Sequence, residues 1–226
     1  RSLERIMQRQ IITTADGSKT IQLKEWNEQY HSIHGAIQES YHVFIKHGLN
    51  LFRNQEIHIL EIGFGTGLNA FITFLEASKL GLKVIFRGVE AYPVTPGELS
   101  ELNFISELKA ETHRSHFEQM HKSAWASNIA ISDGFTLYKE QCDFKEINVV
   151  NTYDMVYFDA FGARVQPELW TENVFGIMFK ALKTGGVLVT YSAKGSVRRA
   201  MQASGFTVER LPGPPGKREM LRAIKP

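Results

Sequence analysis

Residues 56–67, E-I-H-I-L-E-I-G-F-G-T-G, constrain the fold of this chain more than any other stretch. Ile57, Ile59, Leu60 and Ile62 form a short apolar run rich in β-branched residues, the composition of a buried parallel strand. Gly63, Gly65 and Gly67 follow at alternate positions, and L-N-A-F-I-T-F-L-E-A then has helical spacing. A strand, a glycine turn and a helix in succession make the first half of a nucleotide-type cofactor site. The glycines let the backbone approach a ligand, and the helix start offers N–H groups that lack partners. A glycine turn without a ligand is the plainer alternative. Against it, an acid, Glu61, at the strand end beside three spaced glycines has little use in packing.

The rest of the chain alternates strands with helices. Residues 11–23 read as a β-hairpin around Asp16-Gly17, outside the main sheet. Residues 28–49 predict a helix after Gly35; His31, His34 and His42 fall in this stretch without the supporting pattern of a metal site, so no metal is expected. Residues 82–90 are a second strand ending in Glu90, an acid roughly 20 residues beyond the glycine turn, where a ribose is gripped. Residues 96–128 read as mostly helical with a polar loop at 114–122, and Phe135–Gln141 as a third strand with Asp143 just past its end. Residues 153–161 are the fourth strand. Asp159 lies at its carboxyl end, where open α/β sheets bind ligands and where it faces the reacting group. A loop at 162–171, a helix at 172–183, a fifth strand at 185–193 and a helix at 195–204 follow. Two strands, 206–211 and Glu219–Ile224, close the chain around P-G-P-P-G-K-R. The expected fold is α/β: a doubly wound sheet with a terminal antiparallel strand pair and an N-terminal β-hairpin.

At 226 residues the chain is long enough for one domain, or one domain with an appendage. No apolar run approaches the ~20 residues that cross a bilayer. The opening R-S-L-E-R-I-M-Q-R-Q lacks the apolar core of a signal peptide, so a cytoplasmic location with no membrane partner is expected. Cys142 is the only cysteine, which excludes an internal disulfide. The net charge of +2 conceals an asymmetry. Residues 176–226 hold ten basic residues against Glu209 and Glu219, a local charge of +8 that suits a polyanion such as RNA.

A dinucleotide fingerprint requires Gly or Ala where this chain has Leu68. The pattern E-x-G-x-G-x-G at 61–67 instead resembles the first motif of Rossmann-like methyltransferases that bind S-adenosyl-L-methionine, in which the acid holds the amino-acid end of the cofactor. Further segments resemble the methyltransferase half of the MnmC family of bacterial tRNA wobble-uridine enzymes. They are Y-H-S-x-x-G-A-x-x-E-S-x-x-V-F at 30–44, E-I-G-F-G-T-G-L-N at 61–69, V-E-A-Y-P at 89–93, Y-F-D-A-F at 157–161, P-E-L-W-T-x-N-x-F at 167–175 and G-K-R-E-M-L at 216–221. The match runs in register over nearly the whole chain. The bifunctional relatives more often show D-G-F-A-P where this chain has D-A-F-G-A at 159–163.

This resemblance implies N-methylation of 5-aminomethyl-(2-thio)uridine at the tRNA wobble position. Residues 51–226 are then the methyltransferase domain and 1–50 a hairpin-and-helix extension packed on it. It implies S-adenosyl-L-methionine as cofactor, held by Tyr30, Glu39, Glu61, Gly63, Phe64, Gly65, Gly67, Asn69, Glu90, Asp143 and Asp159. Asp143 is placed for the adenine amino group and Asp159 is the catalytic candidate, as a base or as a group that orients the amine. Phe161, with Lys217 and Arg218, is assigned to the substrate; Phe158 and Phe161 each fit a stacking role or the core. The partners implied are the tRNA anticodon region and an upstream enzyme that supplies the aminomethyl-uridine, since the chain is expected to stand alone without the relatives' FAD oxidase domain. Two alternatives remain: a methyl- or aminopropyltransferase acting on a small free amine, and a non-catalytic S-adenosyl-L-methionine- or RNA-binding module. The basic C-terminal region disfavours the first, and the joint presence of Glu61, Glu90 and Asp159 the second.

Overall fold

The structure, a computed structural model, describes residues 8–226 and begins with three short antiparallel strands. They are β1 (Arg9–Thr13), β2 (Lys19–Leu23) and β3 (Glu28–Gln29). Asp16 closes the β1–β2 turn by accepting from Ser18 N at 3.0 Å and Thr14 Oγ1 at 2.9 Å. The expected hairpin is thus a three-stranded sheet, because a two-residue strand is too short to leave an alternation in the sequence. Residues 1–7, which hold most of the segment examined for a signal peptide, lie outside the described residues.

Helix α1 (Ala36–Ser40) continues as a π-helical turn over Tyr41–Lys46, which buries Val43, Phe44 and Ile45. The main sheet then begins with β4 (Glu56–Ile62), α2 (Leu68–Ala77) and β5 (Lys83–Glu90). After it come α3 (Pro96–Ser100), α4 (Phe104–Glu107), α5 (Arg114–Lys122), β6 (Asn128–Ser132) and β7 (Phe135–Gln141). The chain ends with β8 (Tyr153–Phe158), α6 (Glu172–Ala181), β9 (Leu182–Thr190), α7 (Gly195–Ala203), β10 (Thr207–Pro212) and β11 (Glu219–Ile224).

Eight strands form one sheet in the order β10-β11-β9-β8-β4-β5-β7-β6. The central five are parallel, and β6, β10 and β11 pair antiparallel at the edges. From β4 the chain builds outward through β5 and β7, then returns to place β8 and β9 on the other side. The strand order therefore reverses between β4 and β8, which opens a crevice beyond their carboxyl ends. Both faces of β4 are covered. Ile57 and Ile59 join a buried cluster with Phe44, Phe71 and Phe86, while Leu60 and Ile62 join another with Phe158, Phe175 and Met178. That double burial is why β4 reads as a near-continuous apolar run.

Three local expectations differ. Residues 114–122 form helix α5, not a polar loop, because Phe117 and Met120, three apart, put one apolar stripe on an otherwise polar helix. Strand β6 begins where the stretch read as helical ends and fills residues that carried no expected element, with Ile129 and Ile131 at alternate positions. Helix α6 ends at Ala181, and Leu182, fully buried, already pairs with Tyr153 in the sheet. Among the described residues no helix is long and apolar enough to cross a membrane.

Candidate active site

The ends of β4 and β8 meet at the glycine turn. Gly63 adopts φ 89°, and a Cβ there would lie 2.5 Å from the Asp159 carbonyl oxygen, so only glycine fits. Gly65, at φ 53°, donates its N–H to Glu90 Oε1 at 2.8 Å, and Tyr92 N donates to Glu90 Oε2 at 3.2 Å. The turn and the end of β5 are thus tied together through one carboxylate. Phe64 packs on Gly88 and is buried in the core, and Gly67 starts α2 against His121. These two shape the turn and do not line the cavity in front of it.

That cavity has a volume of about 650 Å³. Of the residues assigned to the cofactor, Tyr30, Glu39, Gly63, Gly65, Glu90, Asp143 and Asp159 line it. Glu61 and Asn69 are linked to Asp159 by side-chain hydrogen bonds. Asn69 Nδ2 donates to both Glu61 Oε2 and Asp159 Oδ2 at 2.8 Å, and Ser40 Oγ donates to Asn69 Oδ1 at 2.6 Å. One amide thereby holds two buried carboxyl groups. Burial, followed by the charge of Asp159, pushes Glu61 well above the usual carboxylate range; burial, followed by the charge of Glu39, does the same to Asp159. Burial also raises Glu90. The second oxygen of Glu61, Oε1, is buried with no hydrogen-bond partner. Three buried carboxyl groups and a buried acceptor with no partner among the described residues suit a cationic group that can donate hydrogen bonds. A sulfonium-bearing amino-acid cofactor fits that description.

The outer wall comes from other parts of the chain. Phe161 meets Tyr30 edge-on at 5.0 Å and Trp26 at 6.1 Å, and its carbonyl accepts from Trp170 Nε1 at 2.7 Å. Phe158 is fully buried and belongs to the core, which leaves Phe161 facing the cavity. Lys217 Nζ donates to Glu39 Oε2 at 2.9 Å and lies 4.0 Å from the ring centre of Tyr191. Tyr191 donates to the Ala160 carbonyl at 2.7 Å. Asp143 lies at the end of β7 and accepts from Lys145 N at 2.9 Å. Arg218 is not among the lining residues.

The sequence reading missed Tyr191 and His31. Tyr191 follows β9, so the rule that placed Asp159 after β8 also applies to it. His31 is buried, and its Nε2 shares a hydrogen bond of 2.8 Å with Thr66 Oγ1 in the glycine turn, a long-range contact with no local signal.

The charge of the lining departs from the chain's own asymmetry. Glu28, Glu39, Glu90, Asp143, Asp159 and Glu168 line the cavity against Lys145 and Lys217. Elsewhere in the basic C-terminal region, Lys183 pairs with Asp154 and Arg222 with Glu209. The C-terminal charge of +8 therefore stays largely outside the cavity, and it does not weigh against a cationic acceptor. Among the described residues no group of three or more His, Cys, Asp or Glu side chains could hold a metal ion. His42 Nε2 instead meets the Pro212 carbonyl at 2.7 Å, and His34 packs on Gly216.

Residues 103–226, more than half of the chain, match the family model described as S-adenosyl-L-methionine-dependent methyltransferase. The tRNA 5-methylaminomethyl-2-thiouridine biosynthesis bifunctional protein MnmC of Actinobacillus pleuropneumoniae is 29% identical over 90% of this chain and 33% of its own length. Its counterpart in Leptospira borgpetersenii is 30% identical over 87% of this chain and 32% of its own. The chain thus spans about a third of the length of the curated relatives it matches. Among solved structures, MNMC2 from Aquifex aeolicus superposes with a TM-score of 0.79 and 27% identity, over 97% of this chain and 70% of that one. Spermidine synthase from Thermotoga maritima, at 14% identity and a TM-score of 0.57 over 98% of this chain and 70% of that one, shares the fold.

Proposed function

The chain belongs to the S-adenosyl-L-methionine-dependent methyltransferases, and from that premise we propose that it methylates the primary amine of 5-aminomethyl-(2-thio)uridine at the tRNA wobble position. The observation that carries this reading is Asp159. It stands at the point where strand order reverses, tied through Asn69 to Glu61, and opens onto an acidic cavity with an aromatic wall. The names of the relatives supply the substrate class, since both are named for 5-methylaminomethyl-2-thiouridine biosynthesis in tRNA.

The residues divide into two sets. Glu61 and Asn69 hold the cofactor's amino-acid end, Gly63 and Gly65 admit it against the backbone, Glu90 receives the ribose hydroxyls, and Asp143 meets the adenine amino group. Tyr30 and Glu39 complete that pocket. When bound, S-adenosyl-L-methionine supplies a methyl group on a positively charged sulfur. Asp159 orients the acceptor amine toward it, and its high proton affinity suits it to take the proton released. Phe161 stacks on the extruded uracil, and Arg218 on the outside contacts phosphate. On this reading an upstream activity supplies the aminomethyl group, and the tRNA acceptor is met in the cytoplasm.

The acidic lining also favours a second reading, methyl or aminopropyl transfer to a small free amine. Labelled S-adenosyl-L-methionine incubated with bulk tRNA from cells lacking the gene separates the two. Label in a methylaminomethyl-uridine nucleoside is the expected result. No incorporation into tRNA by a chain that still binds the cofactor would overturn the tRNA reading and leave the free amine.

A further inference from the structure

The proposed reaction sets an electrostatic problem that its own site makes worse. The attacking nitrogen must be neutral, yet a primary alkylamine resembles a lysine side chain, which loses its proton only near about pH 10.4. Carboxylates around it hold that proton more tightly. Asp159 and Glu39 line the cavity, Glu90 stands at the end of β5, and Glu61 lies behind Asn69. Glu28, from β3, adds its charge at Tyr191.

Lys217 opposes them. Its ammonium is held inside the cavity by Glu39 at 2.9 Å and by the face of Tyr191 at 4.0 Å, and its charge favours the ionised form of Asp159. Tyr191 stays protonated and anchors to the carbonyl of Ala160, the residue after Asp159. The lysine comes from the β10–β11 loop, 178 residues from Glu39, with His34 packed on the neighbouring Gly216. A lysine that served only the tRNA backbone would have no need of a seat between a buried carboxylate and an aromatic ring.

Resting on the reading above, we propose that Lys217 is a positioning residue whose fixed ammonium favours the neutral form of the bound acceptor amine and the ionised form of Asp159. The amine lone pair then forms the N–C bond as the C–S bond breaks and its electron pair passes to sulfur. The methylated nitrogen, now positive, loses one proton to Asp159 or to water. Removing the lysine charge lets both the amine and Asp159 hold their protons to higher pH, so the acid limb of kcat moves up.

The test is the pH dependence of kcat on tRNA at saturating S-adenosyl-L-methionine. Lys217→Met and Lys217→Gln should move the acid limb up by about one pH unit, while Lys217→Arg leaves it within a few tenths. If the Met variant does not fold, the Gln variant carries the comparison. An acid limb that stays in place while KM for tRNA rises and its salt dependence becomes shallower would overturn the proposal and make Lys217 a phosphate contact. A wild type that methylates no tRNA would instead sink the reading on which the proposal rests, and the proposal with it.

Discussion

The two walls of the cavity are built on different physical terms. The inner wall, at the ends of β4, β5 and β8, is dry and fixed. Glu61 and Asn69 are almost wholly buried, and Glu90 is held by two backbone N–H groups. The outer wall is joined by the ion pair between Glu39 and Lys217, with a second, more exposed pair between Glu28 and Arg164, and the Lys217 side chain keeps 32% of its surface exposed. In the inner wall like charges face one another with a single amide between them, so charge is stored at the cost of stability. The outer wall sets the local potential through a pair that solvent partly screens. Substitutions in the inner wall should therefore affect folding and turnover together, and those in the outer wall should tune the chemistry while folding stays nearly constant.

The largest expected effect belongs to Asp159. Asp159→Ala should lower kcat about a thousandfold in single-turnover methyl transfer, within the range a positioned acid or base supplies. Cofactor affinity by calorimetry should change less than about tenfold. Because burial makes the ionised form unfavourable, the melting temperature should stay level or rise. Turnover within tenfold of wild type would remove Asp159 from the mechanism and the inner wall from its catalytic role.

Asn69 tests the stability half of the comparison. Asn69→Leu leaves Glu61 and Asp159 without their shared donor and strands Ser40 Oγ. Hydrogen bonds to charged groups are worth ~1.5–3 kcal/mol, so denaturant titration should show a loss of about 3 kcal/mol. A loss below about 1 kcal/mol would mean that the two carboxyl groups satisfy each other by sharing a proton.

The same division explains what could be read in advance. The inner wall was legible because strand ends carry it: an apolar run, three glycines and an acid at the end of β4, β5 and β8 sit where backbone geometry and the switch-point rule put a ligand. Glu61, Glu90 and Asp159 were located on those grounds. The outer wall was reached only through the family resemblance, which assigned Tyr30, Glu39, Phe161 and Lys217, because a residue's place there depends on contacts across most of the chain. Lys217 and Arg218 are neighbours in sequence, yet only Lys217 lines the cavity, and charge counting cannot separate them. Strand β6 was passed over for a related reason: five residues with two isoleucines are too short a run to declare a strand by themselves.

His31 bears on the inner wall from behind, through Thr66. Burial pushes its proton affinity down to about 4 from 6.5. The unfolded chain then takes up the proton first, so this contribution to stability is complete above about pH 6.5 and is lost as pH falls toward 4. Glu61, Asp159 and Glu90 act in the opposite sense: their raised values make the folded state gain protons first on acidification. The informative quantity is therefore the difference between two stability curves. His31→Gln should gain about 2 kcal/mol relative to wild type between about pH 7 and about pH 5. Parallel curves would mean that the ring takes its proton without leaving the turn.

The smallest effect, and the one that separates the walls most cleanly, is at Glu39. Glu39→Gln keeps one acceptor oxygen, which can face Lys217, gives up the weaker 3.3 Å bond from Ser32 N, and removes a negative charge that acts on Asp159. A partly screened ion pair contributes less than about 1 kcal/mol, so the melting temperature should stay within about 3 °C of wild type. Turnover should respond in the opposite direction to loss of the lysine. With less negative charge in the cavity, the amine and Asp159 both release their protons at lower pH, and the acid limb of kcat should move down by about half a pH unit. A large drop in melting temperature would mean that the outer wall is structural after all, and an upward shift would mean that Glu39 acts only by holding Lys217 in place.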